Sequence, residues 1–206
     1  MKKIGVLGGT FDPVHLGHIG MAEAAREALG LNEVILVPAG QPMSKVNQPI
    51  TPPGDRLNML RLAVKTKPGL TISTIEIERT GPSYTVDTLI ALRGQLGAGV
   101  EIYFILGWDS LSQLPEWREP ARLIKICRLV TVPRPGCPRP DMKLLESRIP
   151  GISNKVIFLE KPFMDISATR IKEVAARGEK IGHLVPGPVA GYIKRHKLYQ
   201  KAGGKR

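Results

Sequence analysis

Long apolar runs are missing from this 206-residue chain. Its most hydrophobic stretches, such as EVILVPAG and EIYFILGW, are strand-sized and far short of the ~20 residues of a membrane-spanning helix, so no membrane association is expected. Cysteine is scarce: Cys127 and Cys137 are the only two, which suits a reducing compartment better than a disulfide framework. Nor does an apolar segment with a small-residue cleavage site follow Met1, because MKK runs straight into IGVLGG; a cytoplasmic location is expected. Aromatics make up only 5% of the chain and few are interleaved with basic residues, unlike a surface built to stack nucleic-acid bases. Acid is also in short supply. Against 30 Lys and Arg stand 18 Asp and Glu, a net charge of +12, which fits nucleic acid, an anionic membrane or phosphate-rich small molecules. Six of those cations, with no acid, lie in the closing stretch KRHKLYQKAGGKR. That concentration reads as a solvated end and weakens the case for a nucleic-acid partner.

What remains is an ordinary globular composition, 42% apolar and 23% charged, in which strand-like runs alternate with helical periodicity. KIGVLGG reads as a strand and LGHIGMAEAAREALG as a helix ending at Gly30. EVILVPA is a second strand, PPGDRLNMLRLAVKT a helix and LTISTIEIE a β-branched strand. SYTVDTLIALRGQLG is a helix with Ser83 as its cap and Gly97 as its stop. VEIYFILG and CRLVTVP are strands flanking the short helix EPARLIKI; KVIFLE is a late strand. SATRIKEVAARG and PVAGYIKRH complete the helices. AGQPMSKVNQPITPPGD and PRPGCPRPD, rich in Pro and Gly, are expected as surface loops. Continuous apolar strands separated by helices predict a doubly wound α/β domain with a mostly parallel, Rossmann-like sheet and a small C-terminal helical extension. Residues 1–199 are expected to form one domain, and 200–206 a basic, flexible tail. Ligands of such sheets bind beyond the carboxyl ends of the strands, where the winding reverses.

At one such carboxyl end lies GGTFDPVHLGH, residues 8 to 18, carrying half of the four histidines. His15 and His18 are three residues apart at a helix start. Metal ligation would need a third ligand, and neither His183 nor His196 is spaced to supply it. One buried and one exposed histidine of purely structural role is a second reading. The third is anion recognition: Gly8 and Gly9 leave backbone N–H groups open, the helix directs its positive end to the same point, and the imidazoles add donors. Gly17, without a Cβ, would let a ligand approach between the two rings. The pattern matches neither the G-x-G-x-x-G dinucleotide fingerprint nor the P-loop.

GTFDPVHLGH resembles the first motif, (H/T)-x-G-H, of the nucleotidyltransferase superfamily, and ISATRIK at 166–172 resembles its second. GPSYTVDTL (81–89), LGWDSLSQLPEW (106–117) and LVPGPVAGYIKRHKLY (184–199) narrow the likeness to the bacterial nicotinate-nucleotide adenylyltransferases, over Lys3 to Tyr199. Pantetheine-phosphate adenylyltransferases share the first motif but lack the PSYT and LPEW elements, and come second.

The resemblance implies transfer of the adenylyl group of ATP to nicotinate mononucleotide, in NAD biosynthesis. Nicotinate adenine dinucleotide and pyrophosphate would be the products. The attacking phosphate monoester has a second pKa of about 6 and is already ionised at neutral pH, so no general base and no covalent intermediate are called for. Mg²⁺ is expected on the ATP phosphates, with no protein metal site. By the same resemblance His18 and His15 are the catalytic phosphate donors. Gly8, Gly9, Thr10, Phe11, Gly107, Asp109, Ile166, Ser167, Thr169, Arg170 and Lys172 bind ATP, with Asp109 on the ribose. The family more often has Arg where this chain has Lys172, which leaves open whether Arg170 or Lys172 meets the triphosphate. Lys45, Tyr84, Thr85, Trp117 and Arg134 are placed on nicotinate mononucleotide, Trp117 by stacking on the pyridine. Ser44 replaces a histidine usual before Lys45. Small-molecule substrates are the expected partners. A homo-oligomer is compatible with the sequence, and an acceptor such as phosphopantetheine or nicotinamide mononucleotide is the alternative reading.

Overall fold

The computed structural model describes residues 1–42 and 49–200. Strand β1 (Lys2–Gly9) leads into helix α1 (Leu16–Leu29), and β2 (Glu33–Pro38) follows. Gly30 ends α1 in the left-handed conformation at φ 60°, where a Cβ would be strained, so the chain turns back at once into β2. Helix α2 (Pro53–Val64) carries proline in its first turn, where no intrahelical N–H is missed. The two-residue strand β3 (Gln41–Pro42) precedes α2, and after it come β4 (Leu70–Ile72), the two-residue β5 (Pro82–Ser83), α3 (Thr85–Leu96) and β6 (Val100–Gly107). Helices α4 (Trp108–Ser112) and α5 (Pro120–Ile126) precede β7 (Arg128–Val132); α6 (Met142–Arg148), β8 (Val156–Phe158), α7 (Ala168–Ala176) and α8 (Gly187–Arg195) complete the order.

The six-stranded sheet runs β4-β2-β1-β6-β7-β8 with every pairing parallel. Counted by chain position within this sheet, that is the 3-2-1-4-5-6 order of doubly wound folds, with its reversal between β1 and β6. The two-residue alternation of a strand serves both faces. Ile4 and Val6 of β1 and Ile102, Phe104 and Leu106 of β6 face a core shared with Leu89, Leu92, Leu123 and Leu145. Leu7, Tyr103 and Ile105 face the other, shared with Ala22, Leu60, Ile171 and Val189. Among the described residues no helix is long and apolar enough to cross a membrane.

Three local expectations are corrected. The strand in LTISTIEIE ends at Ile72, because buried Glu76 accepts a hydrogen bond from Thr88 Oγ1 at 2.7 Å and the segment turns to meet it. Tyr84, not Ser83, is the N-cap of α3; Ser83 Oγ instead accepts from the Gly40 N–H at 3.2 Å, across the small β3–β5 sheet. Part of the basic end is not a solvated tail: Leu198 packs on the core and the Tyr199 hydroxyl donates to Asp12 at 2.7 Å.

Candidate active site

His15 is the N-cap of α1 and His18 its third residue, so one helical turn places the two imidazoles face to face. Their ring centroids are 3.6 Å apart at 23°. His18 Nδ1 accepts from the His15 N–H at 3.3 Å, and Phe11 packs edge-on against His18 at 4.9 Å. No ligand fits between rings that close. Gly17 has another role: a Cβ there would lie 3.0 Å from His15 Nδ1, so glycine makes room for the imidazole itself. His15 is 7% exposed and its Nδ1 is buried with no hydrogen-bond partner among the described residues. Burial first, then the positive charge of Arg134, pushes its pKa down to about 4, so the ring is neutral at pH 7.

Two cavities open at the carboxyl ends of β1 and β6. The first, about 200 Å³, is lined by His15, His18, Gly107, Asp109, Arg134 and Ile166, among others. A Cβ on Gly107 would fall 2.5 Å from Asp109 Oδ1, so this glycine admits the carboxylate to the cavity edge. Asp109 is ion-paired with Arg134. The second, about 590 Å³, is lined by Gly9, Thr10, Glu76, Tyr84, Thr85 and Arg118, among others. Gly8, Phe104, Ser110 and Trp117 line both. The cavities therefore meet at the reversal point, with Trp117 held edge-on to Phe104 at 6.1 Å.

The structure divides the expected residues between the two cavities. Gly9 and Thr10 line the second with Tyr84, Thr85 and Trp117, while Arg134 lines the first beside His15, His18 and Asp109. Phe11 lines neither; at 1% exposure its ring is core. Ser167 caps α7, its Oγ accepting from the Arg170 N–H at 3.2 Å. Thr169 and Arg170 are exposed, Arg170 lying 3.8 Å from Asp165. Lys172 is ion-paired with Asp12. Ser44 and Lys45 lie outside the described residues. The sequence did not single out Arg56, which is 1% exposed and donates to the carbonyls of Thr10 (2.8 Å), Ala39 (2.7 Å), Thr51 (3.0 Å) and Gly40 (3.4 Å). It ties the loop after β1 to that after β2. An arginine in an otherwise amphipathic helix carries no sign of this in one sequence.

The cytidylyltransferase-like family matches residues 6–174. A protein of Dehalococcoides mccartyi (strain BAV1), named as a probable nicotinate-nucleotide adenylyltransferase, is 47% identical over 197 residues, covering 96% of this chain and 97% of its own. One of the same name from Roseiflexus sp. (strain RS-1) is 43% identical over 198 residues, at 96% and 98% coverage. The chain belongs to the nicotinate-nucleotide adenylyltransferase family. Its fold is similar to that of a solved structure, the Plasmodium falciparum nicotinic acid mononucleotide adenylyltransferase complexed with NaAD. The TM-score is 0.80 at 19% identity, with 97% of this chain and 98% of that one covered.

Proposed function

We propose that the protein transfers the adenylyl group of ATP to nicotinate mononucleotide, with ATP in the histidine-lined cavity and the mononucleotide in its neighbour. The shared wall at Gly8, Phe104, Ser110 and Trp117 carries this reading. It brings a phosphate from each side to one place without a covalent stopover. An oxygen of the mononucleotide phosphate forms a bond to the α-phosphorus as the bond to the bridging oxygen breaks and pyrophosphate leaves. No proton needs to move. Catalysis is then alignment plus donors aimed at the charge on the α-phosphate. His18 and neutral His15 supply such donors beside the backbone of Gly8. Asp109 is suited to a ribose hydroxyl and Trp117 to the pyridine face.

Two features of the second cavity, whose lining also includes Glu76 and Glu116, suit a carboxylate. α3 begins at Thr85, so its positive end opens toward the site. Arg118 stands over the Tyr84 ring at 4.6 Å. Among the described residues no group of three or more His, Cys, Asp or Glu could hold a metal ion. Mg²⁺ would arrive on the triphosphate as part of the substrate.

The test is pyrophosphate release from ATP and Mg²⁺ with nicotinate mononucleotide, nicotinamide mononucleotide or phosphopantetheine as acceptor. The nicotinate compound is expected to be the preferred acceptor. Equal or faster turnover with phosphopantetheine would overturn the reading.

A further inference from the structure

Behind the histidines lies a cluster of charge that the proposed reaction does not use. The Asp12 side chain is wholly buried, 0% exposed, and its carboxylate receives three donors from three distant parts of the chain. Lys172 Nζ reaches it from α7, the Tyr199 hydroxyl from beyond α8 at 2.7 Å, and the Thr51 N–H from the stretch before α2 at 3.3 Å. The Lys172 ammonium also stands 5.3 Å from the Tyr199 ring centroid. Nearby Arg56 directs its donors to carbonyl oxygens. Among the described residues, Lys172 is the cation in ion-pair contact with Asp12.

A carboxylate buried in this way is stable only while its charge is matched. Burial raises the pKa of Asp12, and the Lys172, Thr51 and Tyr199 hydrogen bonds more than offset that, holding it below the ordinary range. Moving Lys172 onto a triphosphate would strip Asp12 of its ion-pair partner and leave two neutral hydrogen-bond donors and the charge of nearby Arg56, in the loop that presents His15 and His18. Arg170 is under no such constraint: its side chain is 59% exposed in the first turn of α7, facing a far more exposed aspartate. From this we infer that Lys172 is a positioning residue, the counter-charge that fixes Asp12 and the histidine loop to α7 and to Tyr199, and that the phosphate-seeking cation of the ISATRIK stretch is Arg170.

The inference rests on ATP occupying the histidine cavity, and a double-mutant cycle separates the two ideas. Thermal unfolding is measured without substrate for Asp12→Asn, Lys172→Met and the pair, and steady-state kinetics are run on the same proteins. Each single variant should lower the Tm, and the pair, which removes both partners of the ion pair, should recover at least half of the summed loss, since contacting residues couple. Lys172→Met should lower kcat while its ATP KM stays within about threefold of the parent, and Arg170→Ala should raise ATP KM by about tenfold, the equivalent of one charged contact. Should Lys172→Met fail to fold, the ATP KM of the pair decides alone. Additive Tm losses, or an ATP KM raised more than about threefold in the pair, would overturn the assignment. A parent protein that makes no dinucleotide would overturn the proposed function and leave the stability cycle valid.

Discussion

At the scale of single residues, the histidine pair is a division of labour set by burial. Unfolded, His15 has the ordinary histidine pKa near 6.5; folded, burial and then Arg134 hold it at about 4. Between those values the unfolded chain binds a proton that the native one does not, so stability falls as pH drops through the window and is fully present above it. The difference corresponds to at most about 3 kcal/mol. Thermal unfolding between pH 4.5 and 7 should show the slope, and His15→Gln should flatten it; an unchanged profile in that variant would remove the group from the account. The proposed role of His18 is read in the reaction itself. Its ring is fixed by the His15 N–H on one side and the Phe11 edge on another, the preorganisation an oxyanion donor requires. His18→Ala is expected to reduce kcat by about 100- to 1,000-fold, with a Tm that still reports a folded protein. Near-parental turnover would discard its catalytic role.

Elements show how far local pattern determines structure. The apolar runs IGVL, VILV and IYFIL carry no alternation, and that alone marks a sheet covered on both faces; β1, β2 and β6 lie where the runs do. Gly97 ends α3 as expected, at φ 86°. Failures came where a distant partner outweighed a local preference. Ser83 is a good cap by type, yet its hydroxyl serves Gly40, 43 residues away, and the β-branched stretch after Ile72 is turned by the buried Glu76–Thr88 bond. Lys172 belongs with these, since nothing adjacent announces a carboxylate 160 residues upstream. Glycines separate the two regimes experimentally. A Cβ on Gly40 would sit 2.1 Å from the Glu76 carbonyl oxygen, whereas one on Gly94, inside α3, meets nothing within 4 Å. In urea unfolding, Gly94→Ala should stabilise by about 0.5–1 kcal/mol. Gly40→Ala should destabilise by about 1–3 kcal/mol or more as the backbone is forced apart, and a neutral result would mean that the close approach of these segments is not maintained in solution.

For the molecule as a whole, the reversal of winding between β1 and β6 is what turns one sheet edge into two compartments. Helix α1 leaves β1 on one face and carries the histidines to the first cavity. The segment after β6 crosses to bring Trp117 to the wall between them. Trp117 is thereby a joint feature of both pockets, held by Phe104 from the sheet. Its two possible duties leave different kinetic traces. If it only separates the pockets, Trp117→Ala should disturb both substrates alike and lower the Tm, as a core truncation does. If it stacks on the pyridine, the loss falls on one side: KM for nicotinate mononucleotide should rise by the equivalent of about 1–3 kcal/mol, roughly fivefold to 150-fold. ATP KM should move little, and Trp117→Phe should restore most of the difference by returning a flat face. The second pattern is expected, because Phe104 meets the indole at 74° rather than stacking flat on it, and Trp117 lines the second cavity. Equal changes in both KM values, unrelieved by phenylalanine, would reduce Trp117 to a partition.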